Sequence, residues 1–182
     1  MRSLIALSVF ILTAYGQPPQ GFVPWRRISK TELFFYNGID GKIEGGWSDE
    51  SSVGVAIKHN LPLTADDGGP AEGLAKLNFT SPNGDWTIAA TDDGYKATQK
   101  DEIIIRVRGK KDDTFLVFYA QDDGNVDAIT SRFQAPPAWR QIHIPLRSLP
   151  NPIQLKKVGL RNASGGARGN VYVAYMYLKV QE

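Results

Sequence analysis

The chain carries few of the residue types that make and break bonds. Cysteine is absent, which excludes thiolate nucleophiles, thiolate metal sites and a disulfide framework together. His59 and His143 are the two histidines. They are too few for a three-histidine metal site, and no serine elbow accompanies them. No Gly-rich phosphate loop is present either. Glycoside hydrolysis needs two carboxyls about 5–10 Å apart across a cleft. Most of the 19 acidic residues sit among turn formers, and Glu32, Glu44, Glu50, Glu72 and Glu102 form no motif. No residue is assigned a catalytic role. The pairs Asp66/Asp67, Asp92/Asp93, Asp112/Asp113 and Asp122/Asp123 are of the oxygen-rich kind that calcium takes from loops. None has EF-hand spacing, and Asp before Gly serves turns equally well by bonding its own backbone. A structural calcium is the one cofactor left open.

The sequence is richer in donors placed at strand spacing. In residues 102–108, Ile103, Ile105 and Val107 alternate with Arg106 and Arg108. In residues 140–146, Ile142, Ile144 and Leu146 alternate with Gln141 and His143. In residues 157–161, Val158 and Leu160 alternate with Lys157 and Arg161. Successive side chains of a strand face opposite sides, so the polar members share the face away from the core. Tyr119 and Tyr175 are expected to join them from neighbouring strands. A planar ring beside amide and guanidinium donors suits sugar hydroxyls or a sugar carboxylate, because Arg forms two parallel bonds. The basic excess favours acidic glycans. A solvated polar face would read the same way. Trp86 follows the loop Pro82-Asn83-Gly84-Asp85 and is expected as a second, exposed aromatic platform. Trp47 and Trp139 are expected to close the ends of the core.

The elements that must hold these residues are short strands. Ten are expected: 33–36, 53–59, 74–79, 86–90, 102–108, 115–121, 129–133, 140–146, 157–161 and 171–180. Between them lie Asn37-Gly38, Gly45-Gly46, Pro82-Asn83-Gly84, Asp92-Asp93-Gly94, Pro136-Pro137 and Gly165-Gly166, residues that end strands and start turns. No long window has helical spacing. This pattern predicts an all-β, antiparallel sandwich. The last strand is apolar on both sides. Simple alternation puts Tyr172, Ala174, Met176, Leu178 and Val180 on one face, and Val171, Val173, Tyr175 and Tyr177 on the other.

Composition adds bounds. The 182 residues suit about one domain. A net charge of +2 is small for a nucleic-acid binder. Residues 1–16 have a charged start, an apolar run and small residues before a cut, the pattern of a secretory signal peptide. The run is too short to span a membrane. The expected organisation is a signal peptide (1–16), a linker (17–30) and a β-sandwich (31–182), secreted and extracellular. Cleavage takes Arg2 away and leaves a net charge of +1. Asn78-Phe79-Thr80 and Asn162-Ala163-Ser164 are glycosylation sequons.

Three stretches together carry a resemblance. They are Phe35-Tyr36-Asn37-Gly38 with Gly46-Trp47-Ser48-Asp49-Glu50-Ser51, then residues 103–109 with 115–123, and lastly Pro136-Pro137-Ala138-Trp139 running through Ile144-Pro145-Leu146 to 171–178. In order and spacing the chain resembles secreted carbohydrate-binding modules with the galactose-binding-like jelly-roll fold. The resemblance implies a jelly-roll sandwich and non-catalytic, lectin-like binding of a wall or matrix polysaccharide. It implies neither a nucleic-acid nor a membrane partner. Such modules often carry an acidic pair on the last strand, sometimes tied to calcium; the matching positions here are Ala174 and Tyr175. The alternatives are a secreted structural or protein-interaction sandwich without a sugar site, and a small polysaccharide lyase or hydrolase.

Overall fold

The structure is a computed structural model. It describes residues 31–37, 42–43, 47–50, 53–61, 74–110, 114–122, 126–166 and 169–181. The expected signal peptide and linker lie outside the described residues. In chain order the strands are β1 (Glu32–Asn37), β2 (Lys42–Ile43), β3 (Trp47–Asp49), β4 (Val55–Leu61), β5 (Leu74–Phe79), β6 (Asp85–Ala90) and β7 (Tyr95–Ala97). Then follow β8 (Glu102–Arg108), β9 (Phe115–Gln121), β10 (Asp127–Gln134), β11 (Arg140–Pro145), β12 (Ile153–Leu155), β13 (Lys157–Asn162) and β14 (Gly169–Lys179). No helix occurs among the described residues.

Seven strands form one sheet, in the order β11-β8-β14-β1-β2, with β5 also paired to β14 and β4 to β5. Five form the second, in the order β10-β9-β13-β6-β3. The short β7 and β12 pair apart from both. Each pairing is antiparallel. The ten expected strands are all present, within a few residues of their expected ends. β2, β3, β7 and β12 were not expected, because two or three residues are too few to display alternation.

The apolar alternation builds the core. Ile103, Ile105 and Val107 from the larger sheet meet Trp86, Ile88, Leu116, Phe118, Val158 and Leu160 from the smaller one, all fully buried. The last strand departs from simple alternation. Val173 pairs with Val107, but the next partner of β8 is Tyr175, opposite Arg106, so Ala174 is an extra residue in the ladder. Such a bulge reverses the side on which later residues point. Val171, Val173, Met176 and Leu178 therefore share the core. Tyr172, Tyr175 and Tyr177 fall in register with Arg108, Arg106 and Ile104 on the outer face. This corrects the expected division, which put Tyr172 with Met176 and Leu178.

Candidate functional site

The outer face of the seven-stranded sheet can be described as rows running across the strands. One row reads Lys58 on β4, Lys76 on β5, Tyr172 on β14 and Arg108 on β8. The next joins Tyr175, Arg106 and Gln141. A third joins Phe34, Tyr177, Ile104 and His143. A fourth joins Glu32, Lys179 and Glu102. Alternation fixes each member's side, because Ile103, Ile105, Val107, Leu77 and Ala75 between them are all in the core.

The rows differ in chemistry. Trp139, just before β11, faces two guanidinium groups: Arg106 lies 5.7 Å and Arg108 5.4 Å from the ring centroid. Arg108 also lies 4.8 Å from the Tyr172 ring. These distances are within cation–π reach. A guanidinium stacked on rings uses its faces, while its N–H donors lie in the plane at its edge. Tyr175 and Tyr177 continue the aromatic surface at 5.7 Å, and Phe34 and Tyr177 at 4.9 Å. Phe34, Ile104 and Tyr177 form a small buried cluster there, apart from the main core. At the far end Glu102 bonds His143 Nδ1 at 3.1 Å. No carboxylate pairs with Arg106 among the described residues.

Five expected site residues thus come together: Arg106, Arg108, Gln141, His143 and Tyr175. Two do not. Trp86 is fully buried, set edge-on to Tyr36 at 5.8 Å, and its Nε1 donates to Asp49 Oδ1 at 2.7 Å. Trp86 is two residues from Ile88 on β6 and shares its inward side, so it packs in the core rather than capping a loop. Tyr119 lies on the other sheet. So do Lys157 and Arg161, because alternation assigns a side and not a sheet.

On that second face the polar groups satisfy one another. Tyr119 donates to Asp85 Oδ1 at 2.9 Å and lies 2.6 Å from Thr87 Oγ1. Arg161 bonds Asp85 Oδ2 at 3.2 Å, approaches Asp127 at 3.5 Å and covers the Tyr119 ring at 4.6 Å. Burial raises the Asp85 pKa, and the Tyr119 bond and Arg161 charge offset this only in part. Burial also pushes the Tyr119 hydroxyl well above the ordinary tyrosine range. Gly159 makes the arrangement fit, since a Cβ there would stand 2.5 Å from the Tyr119 ring and hydroxyl. Groups so fully committed have little left to offer a ligand.

Trp139 and Tyr172 are the residues of this face that sequence reasoning missed. Trp139 was expected to close the core, as the buried Trp47 does against Phe35 at 4.9 Å. Pro136-Pro137 just ahead of it was the available signal, because a stiff run fixes how the loop enters β11. Tyr172 could be read correctly only by knowing of the bulge.

The sequons part company. Asn78 is half-buried on β5 and belongs to the outer face, beside Asn170. Asn162 is buried, and its amide nitrogen donates to the carbonyls of Ser81 at 2.9 Å and Gly166 at 2.7 Å. Its amide is a loop clip in the folded structure, with both hydrogens in use. Among the aspartate pairs, Asp92 accepts the Gly94 N–H at 2.8 Å, with Gly94 at φ +67°, which is turn chemistry. Asp66/Asp67, Asp112/Asp113 and Asp123 lie outside the described residues. The last-strand calcium position does not fit a cation: Ala174 is the bulged residue and Tyr175 faces outward, and neither carries a carboxylate. No three acidic or histidine side chains converge among the described residues.

Neither a protein-family model nor a curated protein matches the chain. Solved structures do. A point mutant of a family 29 carbohydrate-binding module superposes with a TM-score of 0.59 at 6% identity, covering 82% of this chain and 91% of that one. Another family 29 module, from Piromyces equi, gives 0.55 at 10% identity over 82% and 91%. The family 11 module of a cellulosomal cellulase of Clostridium thermocellum gives 0.52 at 13% identity over 83% and 96%. The likeness shows the fold: an antiparallel β-sandwich of the carbohydrate-binding-module type.

Proposed function

We propose that the protein is a secreted, non-catalytic carbohydrate-binding domain that holds a wall or matrix polysaccharide on the outer face of its seven-stranded sheet. The observation that carries this reading is the surface made by Trp139, Tyr172 and Tyr175 with Arg106 and Arg108 among them. Rings offer their faces to the C–H side of a sugar, and stacked guanidiniums offer donors to its oxygens. Two fold neighbours support the reading, since they are family 29 modules complexed with cellulohexaose and mannohexaose. Binding needs no general acid or base, and none is assigned. Export rests on residues 1–16.

The test is a polysaccharide panel probed with the exported protein, whose N-terminal sequence should start at or near Gln17. Retention on at least one polysaccharide, lost in a Trp139→Ala and Tyr172→Ala double variant that still folds, is the expected result. Export with an intact Met1 would remove the signal-peptide part. Failure to bind any polysaccharide would leave a structural or protein-interaction sandwich.

A further inference from the structure

Lys58 and Lys76 stand directly opposite each other on neighbouring strands and point to the same face. Like charges so placed destabilise a sheet. Neither lysine forms an ion pair among the described residues. Lys76 is in turn opposite Tyr172, and Tyr172 opposite Arg108. Strands lie about 4.8 Å apart, so Lys58 to Arg108 crosses three strand gaps and about 14 Å. Arg106 adds a fourth cation one row away. Among the described residues, the carboxylates of the face sit elsewhere. Glu102 is four residues along β8 from Arg106, about 13 Å, and is occupied by His143. That separation exceeds the screening length of about 8 Å at physiological salt. Among the described residues the face thus has a cationic end, an apolar middle and an end where Glu32 and Glu102 flank Lys179.

We infer that the cationic row of Lys58, Lys76, Tyr172 and Arg108 is the subsite for an anionic polysaccharide, one whose carboxylates or sulfates lie along the row while its rings stack on Tyr172 and Trp139. The inference rests on the polysaccharide reading above. A chain laid across the strands meets a cation, a ring and a cation in succession. This arrangement selects for charge spaced along a polymer, and it explains why the opposed lysines have no ion pair among the described residues.

The experiment measures affinity for four probes: polygalacturonate, dextran sulfate, a neutral β-mannan and double-stranded DNA. Wild type should bind polygalacturonate or dextran sulfate about tenfold more tightly than mannan or DNA, an advantage that shrinks as salt screens the charges. Comparison of the first two polymers tells carboxylate from sulfate. The Lys58→Gln and Lys76→Gln double variant should lose that advantage, with an unchanged or raised melting temperature because the like-charge pair is gone. Should it fold poorly, Arg106→Gln reads the same loss. Mannan bound as tightly as the anionic polymers, or lysine variants without effect, would overturn the inference and leave the polysaccharide reading standing. DNA bound as tightly as either anionic glycan would reduce the row to a general polyanion surface and overturn it too. Absence of binding to every polysaccharide would instead overturn the underlying reading.

Discussion

Ile105 and Arg106 follow one another on β8 and face opposite sides of the larger sheet. Ile105→Ala should therefore cost about 2–5 kcal/mol of stability by emptying core volume and leave the binding face intact. Arg106→Ala should do the reverse, weakening polysaccharide binding by about 1.5–3 kcal/mol, the scale of a charge-assisted bond, with little change in melting temperature. Thermal unfolding and glycan affinity measured on both variants decide the matter. An arginine variant that melts early, or binds unchanged, would make the face structural. The residue scale is also where the sequence was most and least readable. Strict alternation put Arg106, Arg108, Gln141 and His143 on the outer face, because each sits next to an inward-facing isoleucine or valine. The tryptophans could not be sorted that way. Trp86 and Trp139 each sit at a strand start beside a turn, where a ring can close the core or cover a loop; Trp86 shares the inward side of Ile88 two residues on, whereas Trp139 lies just before β11 and faces Arg106 and Arg108.

At the scale of elements, the edge strands of the two sheets are clasped. Asp49 on β3 takes a 2.7 Å bond from buried Trp86 and a 2.6 Å bond from His59 Nε2 on β4. The clasp ties the smaller sheet to the larger one. Burial works against the Asp49 charge, but the bonds from His59 and Trp86 and the His59 charge outweigh it, so its pKa lies below the ordinary 3.8. A depressed carboxyl contributes stability above its unfolded pKa and loses that contribution as pH falls through the folded value. Asp49→Ala strands a buried indole donor and should cost about 1–3 kcal/mol at neutral pH. Melting followed against pH should show the gap between wild type and variant closing below about pH 4. A gap that stays constant there would remove the ionised clasp. Asp85 shifts the other way and is common to both proteins, so it cancels in the comparison. Elements were legible where they were long. All ten longer strands were foreseen, while the β14 bulge was hidden because Ala174 suits either side. It takes the pairing partner, not the strand's own letters, to show where an extra residue sits.

For the whole molecule, β14 is the strand on which the larger sheet depends. It pairs with β8 along one side and with both β5 and β1 along the other. A chain ending before Gly169 would leave three strands without their partner. It should give no cooperative melting transition and no dispersed amide spectrum; a folded truncate would show that the sheet closes by other pairings. The same strand, the last described, pairs with the first, setting Glu32 against Lys179, so folding should be slow for its size. The overall class was readable from turn spacing, whereas the partition of strands between sheets was not. Glu32 is directly opposite Lys179, so the first and last described strands start and finish about 5 Å apart. A unit whose two ends emerge side by side can be set into a surface loop of a carrier protein, or rejoined end to end and opened elsewhere, without stretching either sheet.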